Sequence, residues 1–149
     1  MKKFKFHLGK LLSYKDQNLE NEMMILAALN KHLLEEQKIL LALRNEQDNC
    51  VSNFERDMAV GITPNACQVH LRYLDFLKEQ IKAMLKKISE LSEKIDIQID
   101  VVKNLKLETR SLEIIRETRY DEYKKEMLKE SEKEIDEFMT TAKIIKESH

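Results

Sequence analysis

The nearest approach to reactive chemistry in this sequence is the pair Cys67 and His70. A C-x-x-H spacing puts a thiol and an imidazole on one helical face, which is half of a tetrahedral zinc site. The opposing stretch from Phe54 to Met58 offers Glu55 and Asp57 but no further Cys or His. Ordinary packing between helices is therefore favoured over a metal centre. The four histidines, His7, His32, His70 and His149, are scattered. Carboxylates are plentiful, but on solvated helices they share no cleft that would drive their pKa values apart for acid–base work. No phosphate loop, paired CxxC or HExxH occurs. The expectation is a protein with no catalytic residues, no cofactor and no metal, and so not an enzyme.

The elements that carry these residues are set by the turn at Gly61-Ile62-Thr63-Pro64-Asn65. The chain has 2 Gly and 1 Pro in 149 residues, so it lacks the means to fold back many times. Gly61 suits the left-handed end of a helix. Thr63 suits the N-cap of the next helix, and Pro64 suits its first position. Ile62 and Cys67 have the spacing of a hydrophobic staple. This predicts helix one over about 4–60, a turn at 61–65 and helix two over about 64–146, in a single coiled-coil domain spanning 1–149. Charged residues make up 36% and aromatics 6%, the composition of a thin coiled coil with a seam in place of a core.

Both helices carry the seam. In helix one a 4-3 spacing runs through Leu8, Leu12, Lys15, Leu19, Glu22, Leu26, Leu29, Leu33, Glu36, Leu40, Leu43, Gln47, Cys50 and Phe54. In helix two it runs through Leu74, Leu77, Ile81, Met84, Ile88, Leu91, Ile95, Gln98, Val102, Leu105, Thr109 and Leu112. A sustained period of 3.5 is a coiled-coil seam and implies a left-handed supercoil. Met23, Met24 and Ile25 widen the first stripe locally. The fold class is all-α, a long two-helix antiparallel coiled-coil hairpin with a C-terminal helical overhang. Facing residues then have numbers summing to about 125 at ~1.5 Å rise per residue. That rule sets Cys50 and Cys67 about 10 Å apart along the axis. A disulfide needs Cα atoms within about 7 Å, so both are expected to be reduced thiols. Gln98, polar in an apolar seam, falls opposite Ala27 or Ala28 and reads either as tolerated imperfection or as a register-setting layer.

Past Leu112 the seam fades. Phe4 is expected to face about Asp121, which leaves the last 25 or so residues as an unpartnered helix of about 40 Å. Its charge pairs are mixed in sign and worth only a few tenths of a kcal/mol each. The tail is therefore expected to fray until something binds it. A lone two-helix hairpin has little stability margin, so docking on a partner or self-association is expected. Formal net charge is −1, without the basic excess of a nucleic-acid platform. No apolar run reaches membrane-span length. The basic start at Met1-Lys2-Lys3 lacks the apolar region of a secretory signal, and a cytoplasmic location is expected.

Three stretches together resemble the FliJ family of flagellar type III export proteins. The first is the opening with Phe6, Leu8, Leu11, Leu12 and Lys15. The second is the turn with Asp57, Met58, Gly61, Ile62 and Asn65. The third is Asp136-Glu137-Phe138 after a Lys/Glu-rich helix. The likeness covers nearly the whole chain. It implies a central stalk similar to the gamma subunit of the rotary ATP synthase. Such a stalk binds and stimulates the flagellar export ATPase (FliI) and contacts the export gate protein (FlhA). An escort role for export chaperones also belongs to the family. The resemblance implies a location peripheral to the inner face of the cell membrane at the flagellar base.

It also implies two contact sets. Tyr73, Leu77, Gln80 and Met84 match the family's gate-contacting positions; Gln80 and Met84 depart from the small and His-like residues usual there. Phe76 joins them because Tyr73 and Phe76 cannot both lie in the seam, so at least one ring is exposed. At the end holding both termini, Phe4, Phe6, Tyr120 and Tyr123 are expected to cluster beside Arg116 and Arg119. Phe4, Phe6, Arg116, Arg119 and Tyr123, with Asp136, Glu137 and Phe138, form the set expected in the ATPase ring. The competing readings are a holdase-type export chaperone, which needs a continuous exposed apolar patch, and a generic coiled-coil tether.

Overall fold

A computed structural model describes residues 2–148; Met1 and His149, the last of the four scattered histidines, lie outside the described residues. Two helices make up the fold, α1 (Gly9–Val60) and α2 (Pro64–Glu147), of 52 and 84 residues. They pack along one another as a helical hairpin, and no strand occurs among the described residues. By contacts the chain divides into two units, Asn21–Val102 and Met1–Glu20 with Lys103–His149.

The unit Asn21–Val102 contains the turn. Gly61 has φ 99°, a left-handed backbone that a Cβ disfavours, and its N–H donates to the Asp57 carbonyl at 2.9 Å. The Thr63 hydroxyl accepts from the Ala66 N–H at 3.2 Å. The Thr63 carbonyl accepts from the Cys67 N–H at 3.0 Å, the first bond of α2. Thr63→Ala should cost about 1 kcal/mol, the usual worth of an N-cap, while Thr63→Ser keeps the acceptor. Urea unfolding followed at 222 nm would show it, and equal midpoints for Ala and Ser would refute the cap.

Every position of the two stripes named above is half-buried or buried, from Leu8 to Phe54 and from Leu74 to Leu112. In this unit the most enclosed are Leu77, Met84, Leu91, Ile95 and Val102. One heptad column of α2 is unbranched at Cβ (Leu77, Met84, Leu91) and the other is β-branched (Ile81, Ile88, Ile95, Val102), so thin and wide residues alternate up the seam. The polar layer is real, with a different partner from the one expected. The Gln98 amide donates to the Glu22 carboxylate at 2.5 Å and to the Glu22 carbonyl at 2.9 Å, not into space beside Ala27 or Ala28. Helix carbonyls point toward the helix C-terminus, so an amide facing α1 one turn beyond Glu22 meets the Glu22 carbonyl. Met23, Met24 and Ile25 are exposed and add no width to the seam.

In the other unit, Leu12 and Thr109 are buried, and Lys15 bridges to Glu108 at 2.6 Å. Helix α1 starts at Gly9, several residues later than expected. Ahead of it Phe4, Phe6 and Leu8 are half-buried, while Lys3, Lys5 and His7 are exposed. That alternation is the period of an extended segment, not of a helix. The hydrogen bond from the Gly9 N–H to the Phe6 carbonyl, 3.0 Å, turns the segment into α1. At the other terminus α2 continues to Glu147, and every side chain from Leu128 to Ser148 is exposed.

Candidate partner-binding surfaces

In the unit that contains the turn, the heptad register puts Leu77 and Met84 in the seam and turns their neighbours outward. Leu77 is 3% exposed and Met84 is 9% exposed, so neither presents its side chain to a partner while the helices are paired. Tyr73, Phe76 and Gln80 are exposed. The Tyr73 and Phe76 rings stack with centroids 6.3 Å apart and planes at 23°. Both rings are therefore on the surface, where at least one was expected.

Tyr73 is held from below. Its hydroxyl donates to the Glu46 carboxylate at 3.1 Å. The same carboxylate oxygen accepts from the Cys50 thiol at 3.5 Å. The hydrogen bond to Glu46, then desolvation, raise the Tyr73 pKa above its ordinary value. Desolvation, then the bond to Glu46, raise that of Cys50. Both groups stay protonated as donors, and Cys50 is held away from the reactive thiolate form. Glu46 was not singled out from sequence, although facing numbers that sum to about 125 put its neighbour Cys50 opposite the region of Asp75, close to Tyr73. Closer to the turn, His70 meets Asp57 at 3.0 Å and packs on Phe54 with centroids 5.1 Å apart. His70 is thus engaged with a carboxylate and a ring. Cys50 and Cys67 are both free thiols.

In the unit that holds the termini, the extended N-terminal segment lays Phe4 against two tyrosines of α2. The Phe4 ring meets Tyr120 edge-on at 5.2 Å and Tyr123 at 5.5 Å. Tyr120 and Tyr123 stack at 6.3 Å, and the Tyr123 hydroxyl donates to the Lys2 carbonyl. Lys124 lies over the Tyr120 ring at 4.8 Å. A shallow depression of about 570 Å³ opens beside the cluster, lined by Phe4, Glu113, Arg116, Glu117 and Tyr120. Arg116 thus lines the depression beside the aromatic cluster. Arg119 is exposed and pairs with Glu122 at 3.8 Å. Phe6 packs edge-on against His7 at 5.4 Å and is not part of the Phe4 cluster. Asp136, Glu137 and Phe138 lie further along α2, all exposed, with Phe138 73% exposed.

Exposed stacked aromatics, and rings beside charged side chains, are the kinds of surface that can make protein contacts. Among the described residues no group of three or more His, Cys, Asp or Glu side chains could hold a metal ion, and no helix is long and apolar enough to cross a membrane. No curated protein and no solved structure matches the chain. A family profile described as "Flagellar FliJ protein" matches residues 4–147. The match takes in the turn, both seams and the exposed end of α2, and the chain belongs to the flagellar FliJ protein family.

Proposed function

We propose that this chain is a non-enzymatic stalk of the flagellar export apparatus. It binds and stimulates the export ATPase (FliI) and couples it to the export gate protein (FlhA), with a further role in escorting export chaperones. The observation that carries this reading is the family match across residues 4–147. As a member of the flagellar FliJ family, the chain is a component of flagellar export; the ATPase and gate contacts are the proposal. The stalk is cytoplasmic and peripheral to the inner face of the cell membrane.

The surfaces divide the work by chemistry. The Tyr73–Phe76 stack, with Gln80 on the same helix, supplies the gate contact. Rigid rings give contact area at small entropic cost. Leu77 and Met84 act indirectly, by holding the helix that presents those rings. The Phe4–Tyr120–Tyr123 cluster with Arg116 and Arg119, and the stretch Asp136-Glu137-Phe138, supply the ATPase contact. Charged, exposed side chains make contacts that are individually weak, which suits a stalk that must move within a ring.

The test is ATP turnover by the export ATPase with the full chain and with a chain ending before Tyr123. Loss of stimulation, with helicity of the remaining hairpin retained by circular dichroism, is the expected result. Undiminished stimulation by the shortened chain would remove the ATPase contact from this end of the protein.

A further inference from the structure

The exposed end of α2 carries an apolar stripe of its own, offset from the seam. Leu128, Ser131, Ile135, Phe138, Ala142 and Ile145 follow one another at intervals of three, four, three, four and three. All are exposed in this chain. Leu128 is 64% exposed, Ile135 59% and Ile145 56%. Side chains at that spacing share one face of a helix, the pattern of one strand of a coiled coil.

We propose that this stripe is a homodimerisation surface, and that two copies of the chain pair through it as an antiparallel two-stranded coiled coil. The spacing reads the same in both directions. Set antiparallel about the midpoint between Ile135 and Phe138, Leu128 meets the second copy's Ile145. Ser131 then meets Ala142, and Ile135 meets Phe138. Large residues pair with large and small with small, and each layer occurs twice under the two-fold axis. A two-fold pairing of this kind is closed and does not propagate.

Charge favours the same arrangement. The positions flanking the stripe on one side are Glu132, Met139 and Lys146. In the antiparallel pairing Glu132 lies beside the second copy's Lys146, Lys146 beside Glu132, and Met139 against Met139 on the axis. Two salt bridges and an apolar contact result, without a like-charge pair on that side. A parallel pairing in register would set Met127 beside Glu132, Glu134 beside Met139 and Thr141 beside Lys146, which gains no ion pair. It would also stack Phe138 on Phe138 and Ser131 on Ser131 in single layers. On the other side the flanking positions Met127, Glu134 and Thr141 supply no ion pair in either orientation, so the Glu132–Lys146 pairs favour the antiparallel one. Phe138 also belongs to the ATPase-facing set proposed above, so if that reading holds, dimerisation and ring entry exclude one another. The dimer itself is independent of that reading.

Sedimentation equilibrium of the full chain without any partner tests this. A concentration-dependent monomer–dimer equilibrium is expected. Phe138→Glu should abolish the dimer, with helicity by circular dichroism reporting that the hairpin still folds. Glu132→Lys and Lys146→Glu each convert both symmetric ion pairs to repulsions and should weaken dimerisation by roughly threefold to thirtyfold. The double variant Glu132→Lys/Lys146→Glu restores both pairs with the charges exchanged and should return the dissociation constant to near that of the parent. A monomer at all concentrations, a dimer untouched by Phe138→Glu, or no recovery in the double variant would overturn the proposal.

Discussion

Leu77→Ala should lower the unfolding free energy of the hairpin by about 2–4 kcal/mol, within the range for truncating a buried leucine. Leu77 is 3% exposed, the most enclosed apolar side chain among the described residues. The loss combines the transfer energy of the deleted carbons with a cavity that the neighbours only partly fill. In a two-helix seam the facing helix can close in on the gap, which holds the cost below that of a globular core. Ile97 is a comparable aliphatic residue on the same helix but is 66% exposed. Ile97→Ala should change stability by no more than about 0.5 kcal/mol. Urea titrations of both variants at 222 nm make the comparison. Equal losses would mean that the seam does not lie where the heptads put it. The result also bears on function. A Leu77 variant that loses gate binding has first lost the packing of the helix that carries Tyr73 and Phe76, so it does not probe a direct contact.

The second large effect belongs to the polar layer. Gln98→Leu should destabilise by about 1–3 kcal/mol, because it leaves the half-buried Glu22 carboxylate facing an alkyl chain. Glu22→Leu alone strands the Gln98 amide at similar cost. The double variant Glu22→Leu/Gln98→Leu removes both polar groups and should be at least as stable as the parent, as often found when a buried polar pair becomes apolar. The four proteins form a double-mutant cycle, read by urea titration, and a double variant as stable as the parent makes the coupling at least equal to the sum of the two single losses. Additive losses would show that the bonds of 2.5 and 2.9 Å contribute nothing beyond their parts. A strict heptad tolerates a slide of seven residues with its apolar layers intact; the Glu22–Gln98 layer does not. The double variant thus gains stability where it gives up register.

The seam was fully legible in the sequence, because burial in a two-helix coil is dictated by periodicity and little else. The cap was legible as well, since few residues can serve at Gly61 and Thr63. Three features were not. The N-terminal segment was folded into helix one, although Lys3-Phe4-Lys5-Phe6-His7-Leu8 alternates polar and apolar; six residues of period two are easily absorbed into a long neighbouring helix. The partner of Gln98 was placed by backbone register, whereas its contact is set by the direction of helix carbonyls. The tail stripe was overlooked because it does not continue the register of Leu105, Thr109 and Leu112. In the surfaces, Leu77 and Met84 were grouped with Tyr73 by position along the chain. Helical phase separates them, putting two in the seam and two rings outside.

The cross-helix contacts form a graded series in sequence separation. It is 13 residues for His70–Asp57, 27 for Tyr73–Glu46 and 76 for Gln98–Glu22. It reaches 93 for Lys15–Glu108 and 121 for Tyr123–Lys2. Once the contact before it has formed, each closes only a further 14, 49, 17 or 28 residues of chain, the differences between successive separations, so the entropy of closure is met in instalments. By loop entropy the contacts nearest the cap at Gly61 and Thr63 close most cheaply, and the hydrogen bond of the Tyr123 hydroxyl to the Lys2 carbonyl closes the longest loop of the series.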